Sequence, residues 1–234
     1  MTLALIGKGR EADILALDSS RVLRQYREPH DVEIEARAME HARAHGVPVP
    51  TILEVRENGL VMDRVEGPTM LAYAAAHPWQ LRRQARVLAR LHDQLHAVPG
   101  LPGLPEPFGP GGSLLHRDLH PDNVLLGPSG PVIIDWSGAC NGPAAADVAR
   151  TWILVGTSEV PGGRFQRTVA GAGRTFFLRS FLNRAGRDGA RPFLEVVGLE
   201  RLQDENLVGG EAAAIRALLA REAGGESPPG GDDG

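Results

Sequence analysis

The spacing of hydrophobic and polar positions changes several times along the chain, and each change predicts an element. Leu3 to Ile6 and Ile14 to Leu17 are short apolar runs on either side of Gly7-Lys8-Gly9-Arg10, and Val22 to Tyr26 follows the turn Asp18-Ser19-Ser20, so three strands are expected. After Pro29 to Asp31 the period lengthens. Val32, Ala36, Met39, Ala42 and Ala44 share one side of a helix that reaches about His45, where Gly46 stops it. Val47-Pro48-Val49-Pro50 is an extended connector, and Ile52 to Arg56 with Leu60 to Val65 form a hairpin around Asn58-Gly59.

From Met70 onward the helical period dominates. Met70 to Ala76 and Trp79 to Ala97 are predicted helices, the second with Leu81, Ala85, Leu88, Leu91 and Leu95 on one face. Leu101 to Gly112 is a Pro/Gly-rich loop. Val124 to Leu126 and Val132 to Ile134 form another hairpin through Gly127-Pro128-Ser129-Gly130, and helices are expected over Ala144 to Val155, Phe165 to Leu182 and Glu211 to Arg221. No internal repeat is visible. The Gly, Pro and Asp of residues 223–234 predict a disordered tail.

Composition narrows the function classes. With 234 residues and 42% hydrophobic content there is material for a sizeable core, and a net charge of -4 gives no reason to expect nucleic acid or an anionic membrane as partner. Cys140 is the one cysteine, so no internal disulfide is possible. Lys8, Arg10, Glu11 and Asp13 interrupt the first apolar residues, which are unlike a signal peptide, and no apolar run is long enough to span a bilayer; a cytoplasmic location is expected. Among 25 basic residues, Lys8 is the only lysine.

The chemistry concentrates in one stretch. Leu114-Leu115-His116-Arg117-Asp118-Leu119-His120-Pro121-Asp122-Asn123-Val124-Leu125-Leu126 is followed by Val132-Ile133-Ile134-Asp135-Trp136. Phosphoryl transfer needs one carboxylate to orient and accept a hydroxyl proton, and an amide with a second carboxylate to hold magnesium. Asp118, Asn123 and Asp135 supply these types in that order. Singly they read as turn residues between apolar runs; together they point to a kinase.

The sequence His-Arg-Asp-x4-Asn with a later Asp resembles the protein-kinase-like fold. His120-Pro121 inside the loop and Trp136 after Asp135 make it similar to the aminoglycoside phosphotransferase and choline kinase group, and Asp147-Val148-Ala149-Arg150 resembles the helix start that holds the catalytic loop there. The resemblance covers most of residues 5 to 150. It implies an α+β, bilobal protein-kinase-like fold, with a five-stranded antiparallel N-lobe carrying one helix (1–65), a hinge near Met62 to Val65, and a mainly helical C-lobe (66–222). It further implies Mg-ATP-dependent phosphorylation of a small-molecule hydroxyl, with Asp118 as base, Asn123 and Asp135 holding Mg2+, and His116 as scaffold.

For the nucleotide, the resemblance implies Gly7, Lys8 and Gly9 near the phosphates, Glu35 as the helix glutamate by its Glu-Ala context, with Glu33 as the alternative, and Met62, Asp63 and Val65 at the hinge. Arg24 stands where the family carries its phosphate-binding lysine. Three outcomes are open: the Arg24 fork takes the phosphates, Lys8 reaches them instead, or Arg24 is a surface residue and phosphate binding is impaired. The last would suit a catalytically silent nucleotide-binding or regulatory module. A protein kinase is disfavoured, since the eleven residues between Asp135 and Asp147 are too few for an activation segment. His92 and His96 have helical metal-binding spacing, but Asp93 is one methylene shorter than the glutamate of a zinc protease, so helix-end packing is expected. Seven arginines between Glu159 and Arg191 face only Glu159 and Asp188, and acids then dominate from Pro192 to Glu211, so the resemblance does not identify the acceptor.

Overall fold

The computed structural model describes residues 3–9, 11–158, 164–204, 207 and 209–224. Strands β1 (Ala4–Lys8), β2 (Ala12–Ala16) and β3 (Arg21–Tyr26) precede helix α1 (Val32–Ala44), and β4 (Ile52–Arg56) with β5 (Gly59–Asp63) completes an antiparallel sheet of order β1-β2-β3-β5-β4. The Asp31 carboxylate caps α1 by accepting the Ile34 N–H at 3.3 Å, and Gly46, with φ +83°, takes the left-handed turn that ends it. Val32, Ala36, Met39 and Ala42 of α1 are buried with Val22, Leu60 and Met62 of the sheet in the first part of the core. Ala44, expected on that face, is exposed.

A connector then enters the second lobe. Gly67 has φ +144°, and a side chain there would stand 2.2 Å from the Leu126 carbonyl; the chain is stitched at this point by Leu126 N–H donating to Pro68 O at 2.9 Å. Helices α2 (Met70–Ala76) and α3 (Leu81–His96) follow, the predicted second helix beginning as a 3-10 turn at Pro78–Gln80. Two short strand pairs organise the loop region: β6 (Ser113–Leu115) lies against β9 (Cys140–Gly142), and β7 (Val124–Gly127) against β8 (Gly130–Ile133).

The rest is helical: α4 (Ala144–Thr157), α5 (Arg164–Ala185), the single turn α6 (Arg187–Ala190), α7 (Leu194–Leu202) and α8 (Glu211–Ala223). Helix α4 is the axis of this lobe. It packs on α5, α6, α7 and α8, and Ala146, Ala149 and Ile153 are fully buried. The architecture is therefore α+β in two lobes. Helix α7 was absent from the sequence reading, and residues 225–234 of the expected tail lie outside the described residues. Among the described residues, no helix is long and apolar enough to cross a membrane.

Candidate active site

Strand register decides which side chains of the first lobe can meet. Gly7 pairs with Ile14, Ile14 with Arg24 and Arg24 with Leu60, so these residues form one row across the sheet and share a face. Lys8 lies in the next row with Asp13 and Gln25, on the opposite face, and is exposed. Arg24 instead turns inward, where it is 7% exposed. Its Nη1 is 3.3 Å from Glu35 Oε1 of α1, and its Nη2 donates to Asp135 Oδ1 at the end of the β7–β8 hairpin.

Tyr26 Oη donates to Glu35 Oε2 at 2.5 Å. Burial raises the Tyr26 phenol above its ordinary range, and the Glu35 charge adds to the rise. Burial works against the Arg24 cation, yet Glu35 and Asp135 hold it more firmly charged than usual. Arg24 Nε and Glu35 Oε1 are buried without a hydrogen-bond partner. A phosphate oxygen would satisfy the first.

The loop that carries Asp118 is held from below by α4. Asp147, fully buried, accepts the N–H of Arg117 at 2.8 Å through Oδ1 and that of His116 at 3.3 Å through Oδ2. The loop twists sharply there, since Arg117 has φ 64°. His96 Nε2 donates to Asp147 Oδ2 at 3.1 Å, and Thr151 Oγ1, one turn along α4, donates to Leu119 O at 2.7 Å. Burial disfavours the Asp147 charge, but the His96 hydrogen bond and the neighbouring histidines hold its pKa well below the usual carboxylate range.

His116 joins two parts of the loop as a neutral ring. Nε2–H donates to Ile134 O at 3.1 Å and Nδ1 accepts Asp118 N–H at 3.2 Å, while burial lowers the basicity of the imidazole. Asp118 thus has its backbone fixed while its side chain stays 41% exposed. Asn123 Nδ2 donates to both Asp118 O and Asp118 Oδ2 at 2.8 Å, and His120 Nε2 lies 3.6 Å from Oδ2. Burial alone would raise the Asp118 pKa; His120, His116 and Arg150 bring it down to about 2. The group is a carboxylate at neutral pH.

Both Asn123 N–H bonds point at Asp118, which leaves its amide oxygen as the atom available to a cation. The Asn123 carbonyl accepts Ile134 N–H at 3.0 Å, so the hairpin brings Asn123 and Asp135 side by side. Asp135 has φ 66°, and its Oδ1 accepts from Arg24 and, at 3.2 Å, from Ser137 Oγ. An amide oxygen and a carboxylate are hard donors, and the guanidinium already resting on Asp135 marks it as a cation position, so these residues fit Mg2+. Among the described residues no group of three or more His, Cys, Asp or Glu is arranged to hold a metal by itself. Such a cation would take its other ligands from phosphate or water.

A third cluster was not foreseen. Glu200 of α7 accepts from Arg117 through Oε1 and from Arg150 of α4 through Oε2. Arg117 also lies over the Phe108 ring at 5.9 Å. Glu200 lines a shallow cleft of about 430 Å3 with Pro192, Glu195, Val196, Leu199 and Gln203. The available signal was the acidic run from Pro192 onward, but nothing local to it indicates Arg117 as a partner.

The structure therefore brings Arg24, Glu35 and Asp135 into one cluster and places Asp118 and Asn123 in contact beside it. Gly7 lies two strands from Arg24, roughly 10 Å at ordinary strand spacing. Met62 is buried at the end of β5, Asp63 is exposed and Val65 half-buried; Lys8 and Gly9 are exposed at the β1–β2 turn, where Gly9 N–H donates to Ala12 O at 2.9 Å. Cys140 is buried in β9, with burial pushing its thiol up to about 12.

Comparison with known proteins bears on family and fold. The profile of the "Phosphotransferase enzyme family" matches residues 2–110 and 109–193. No curated protein matches the sequence. Among solved structures, a thermostable mutant of the aminoglycoside phosphotransferase APH(4)-Ia, in ternary complex with AMP-PNP and hygromycin B, superposes with a TM-score of 0.66 at 18% identity, over 96% of this chain and 95% of that one. A choline/ethanolamine kinase family protein from Mesorhizobium loti gives 0.57 at 15% identity, over 96% and 87%. APH(3'')-Id from Streptomyces rimosus, in complex with ADP and streptomycin, gives 0.56 at 18% identity, over 79% and 88%. At these identities the likeness establishes the kinase-like fold.

Proposed function

Because the chain belongs to the phosphotransferase enzyme family, we propose that it transfers the γ-phosphoryl group of Mg-ATP to a hydroxyl of a small molecule. The observation that carries this reading is the meeting of Arg24, Glu35 and Asp135 next to the Asp118–Asn123 pair, with Arg24 and Asp135 drawn together across 111 positions. Residues 1–65 would serve the nucleotide and 66–222 the acceptor. Arg24 takes the place of the phosphate-binding lysine, held by Glu35, while Gly7 and Gly9 border the phosphates and Met62, Asp63 and Val65 border the base.

Asn123 Oδ1 and Asp135 would hold Mg2+, which when bound neutralises charge on the phosphates. Asp118, ionised and fixed through its backbone, orients the acceptor hydroxyl and receives its proton. The acceptor would approach along the α7 cleft, since Glu200 on its wall reaches Arg117, the neighbour of Asp118.

A catalytically silent nucleotide-binding module is the second reading. It is favoured by the Arg24 guanidinium on Asp135, which competes with a cation for that carboxylate. Nucleotide titration with and without Mg2+, then turnover against a panel of hydroxyl compounds, separates the two. Solved relatives carry adenine or guanine nucleotides, so both ATP and GTP belong in the titration. Mg-dependent transfer to an acceptor is expected; binding without transfer to any acceptor supports the silent module.

A further inference from the structure

Helix α4 grips the catalytic loop on both sides of Asp118. Asp147 accepts the Arg117 N–H at 2.8 Å, and Thr151 donates to Leu119 O at 2.7 Å. Arg150 sits between these two grips on the same side of α4, and Arg117 is the chain neighbour of Asp118. Both guanidiniums thus belong to residues that the backbone sets close to Asp118. Both turn away from it to Glu200, one to each carboxylate oxygen.

The charges do not balance within this group. Two guanidiniums share one carboxylate, Arg150 is 6% exposed, and the Nε atoms of Arg117 and Arg150 are buried without hydrogen-bond partners. A buried cation without its anion is strongly disfavoured and moves to the nearest carboxylate that it can reach. With Glu200 removed, that carboxylate is Asp118. Arg150 already acts on Asp118 through space as one of the charges that keep it ionised.

We infer that Glu200 is a positioning residue for phosphoryl transfer: by engaging Arg117 and Arg150 together, it keeps both guanidiniums off Asp118 and leaves that carboxylate free for the acceptor hydroxyl. This rests on the role proposed above for Asp118. Glu200 touches neither nucleotide nor the reacting atoms. Its effect belongs in kcat, with nucleotide affinity left alone.

The test compares full-length wild type with Glu200→Gln, Glu200→Asp and Glu200→Gln/Arg150→Met. A crystal structure of Glu200→Gln should show a guanidinium of Arg150 or Arg117 bonded to Asp118. Its kcat should fall roughly 10-fold or more, with KM for Mg-ATP within about twofold of wild type. Removing Arg150 in the same background should restore most of the lost kcat, and Glu200→Asp, one methylene shorter, should fall between. Guanidiniums that stay at position 200, an unchanged kcat, or a folded double variant no more active than the single one would each overturn the inference. If Glu200→Gln does not fold, Glu200→Asp carries the same two readouts, and no shift in either overturns it. Wild-type protein that transfers phosphate to no acceptor sinks the proposed function instead, while the crystallographic comparison still decides where the guanidiniums go.

Discussion

Two charged clusters flank Asp118 and Asn123 with opposite arrangements of the same chemistry. In one, a single guanidinium, Arg24, stands between two carboxylates, Glu35 and Asp135; in the other a single carboxylate, Glu200, stands between two guanidiniums, Arg117 and Arg150. Arg24 and Arg150 are equally buried, at 7% and 6% exposure, yet they are pushed in opposite directions. Burial disfavours both cations, but Glu35 and Asp135 more than compensate at Arg24, whereas Arg201 and Arg117 add to the burden at Arg150. At equal depth, the local balance of charge sets the direction of the shift. On the proposed function, the surplus of negative charge lies where a divalent cation would enter and the surplus of positive charge lies beside the base, a division of labour within one site.

Substitutions can break this comparison at several points. The largest effect is expected from Asp118→Asn, which keeps the shape next to Asn123 but removes the proton acceptor: turnover should fall roughly 10²-fold or more, with Mg-nucleotide binding measured by calorimetry nearly intact. Equal loss of binding would make Asp118 structural. Next is Arg24→Ala, which should weaken nucleotide binding by about 10- to 100-fold, the scale of a lost charge-assisted hydrogen bond. Lys8→Ala, on the other face of the sheet, should change it by less than about twofold, and Arg24→Lys should recover only part, because an ammonium cannot fork between two carboxylates. The reverse order would move the phosphate contact to the β1–β2 turn.

Asp135→Asn takes one charge from the negative cluster. The Mg2+ concentration for half-maximal nucleotide binding should rise roughly tenfold; an unmoved titration would mean that Asp135 is no ligand. The smallest effect concerns stability and the loop support beneath Asp118. His92 is buried against Leu88 O and Thr151 Oγ1, with His96, His116 and Asp147 as its charged or titratable neighbours, and burial brings its pKa down to about 4. Its folded pKa lies below the unfolded value near 6.5, so the unfolded chain takes up the proton first and stability declines as pH falls through that window. Denaturant melts should show a loss of about 1 kcal/mol between pH 7.5 and 5.5, reduced in His92→Gln. A flat profile would mean that His92 is not held neutral.

Much of the first lobe was readable because its signals are local. The β4–β5 hairpin follows from Asn58-Gly59 between β-branched runs, and α1 from Asp31, a helical stripe and Gly46. Strands β6 and β9, three residues each, are too short to show a period, and α7 carries Gly198 and two adjacent valines that weaken its helical pattern. The candidate residues on the loop could be proposed from spacing within twenty positions. Their partners could not. Arg24 meets Asp135 across 111 positions, and Arg117 meets Glu200 across 83. The choice between Arg24 and Lys8 needed strand register, which fixes the face each presents. The His92–His96 pair, read as helix-end packing, also includes the His96 hydrogen bond that steadies Asp147.

Arg117 and Asp135 are the two non-glycine residues among those described that hold left-handed backbone, at φ 64° and 66°. That conformation costs an L-residue on the order of 1 kcal/mol, which glycine would recover. A population of variants selected in the laboratory for heat resistance alone should therefore drift toward glycine at these positions, and each such gain in melting temperature would discard the Arg117 bond to Glu200 or the Asp135 bond to Arg24. Selection for activity should drive the same positions back. Alternating the two regimes would expose 117 and 135 as sites where durability and chemistry pull one chain in opposite directions.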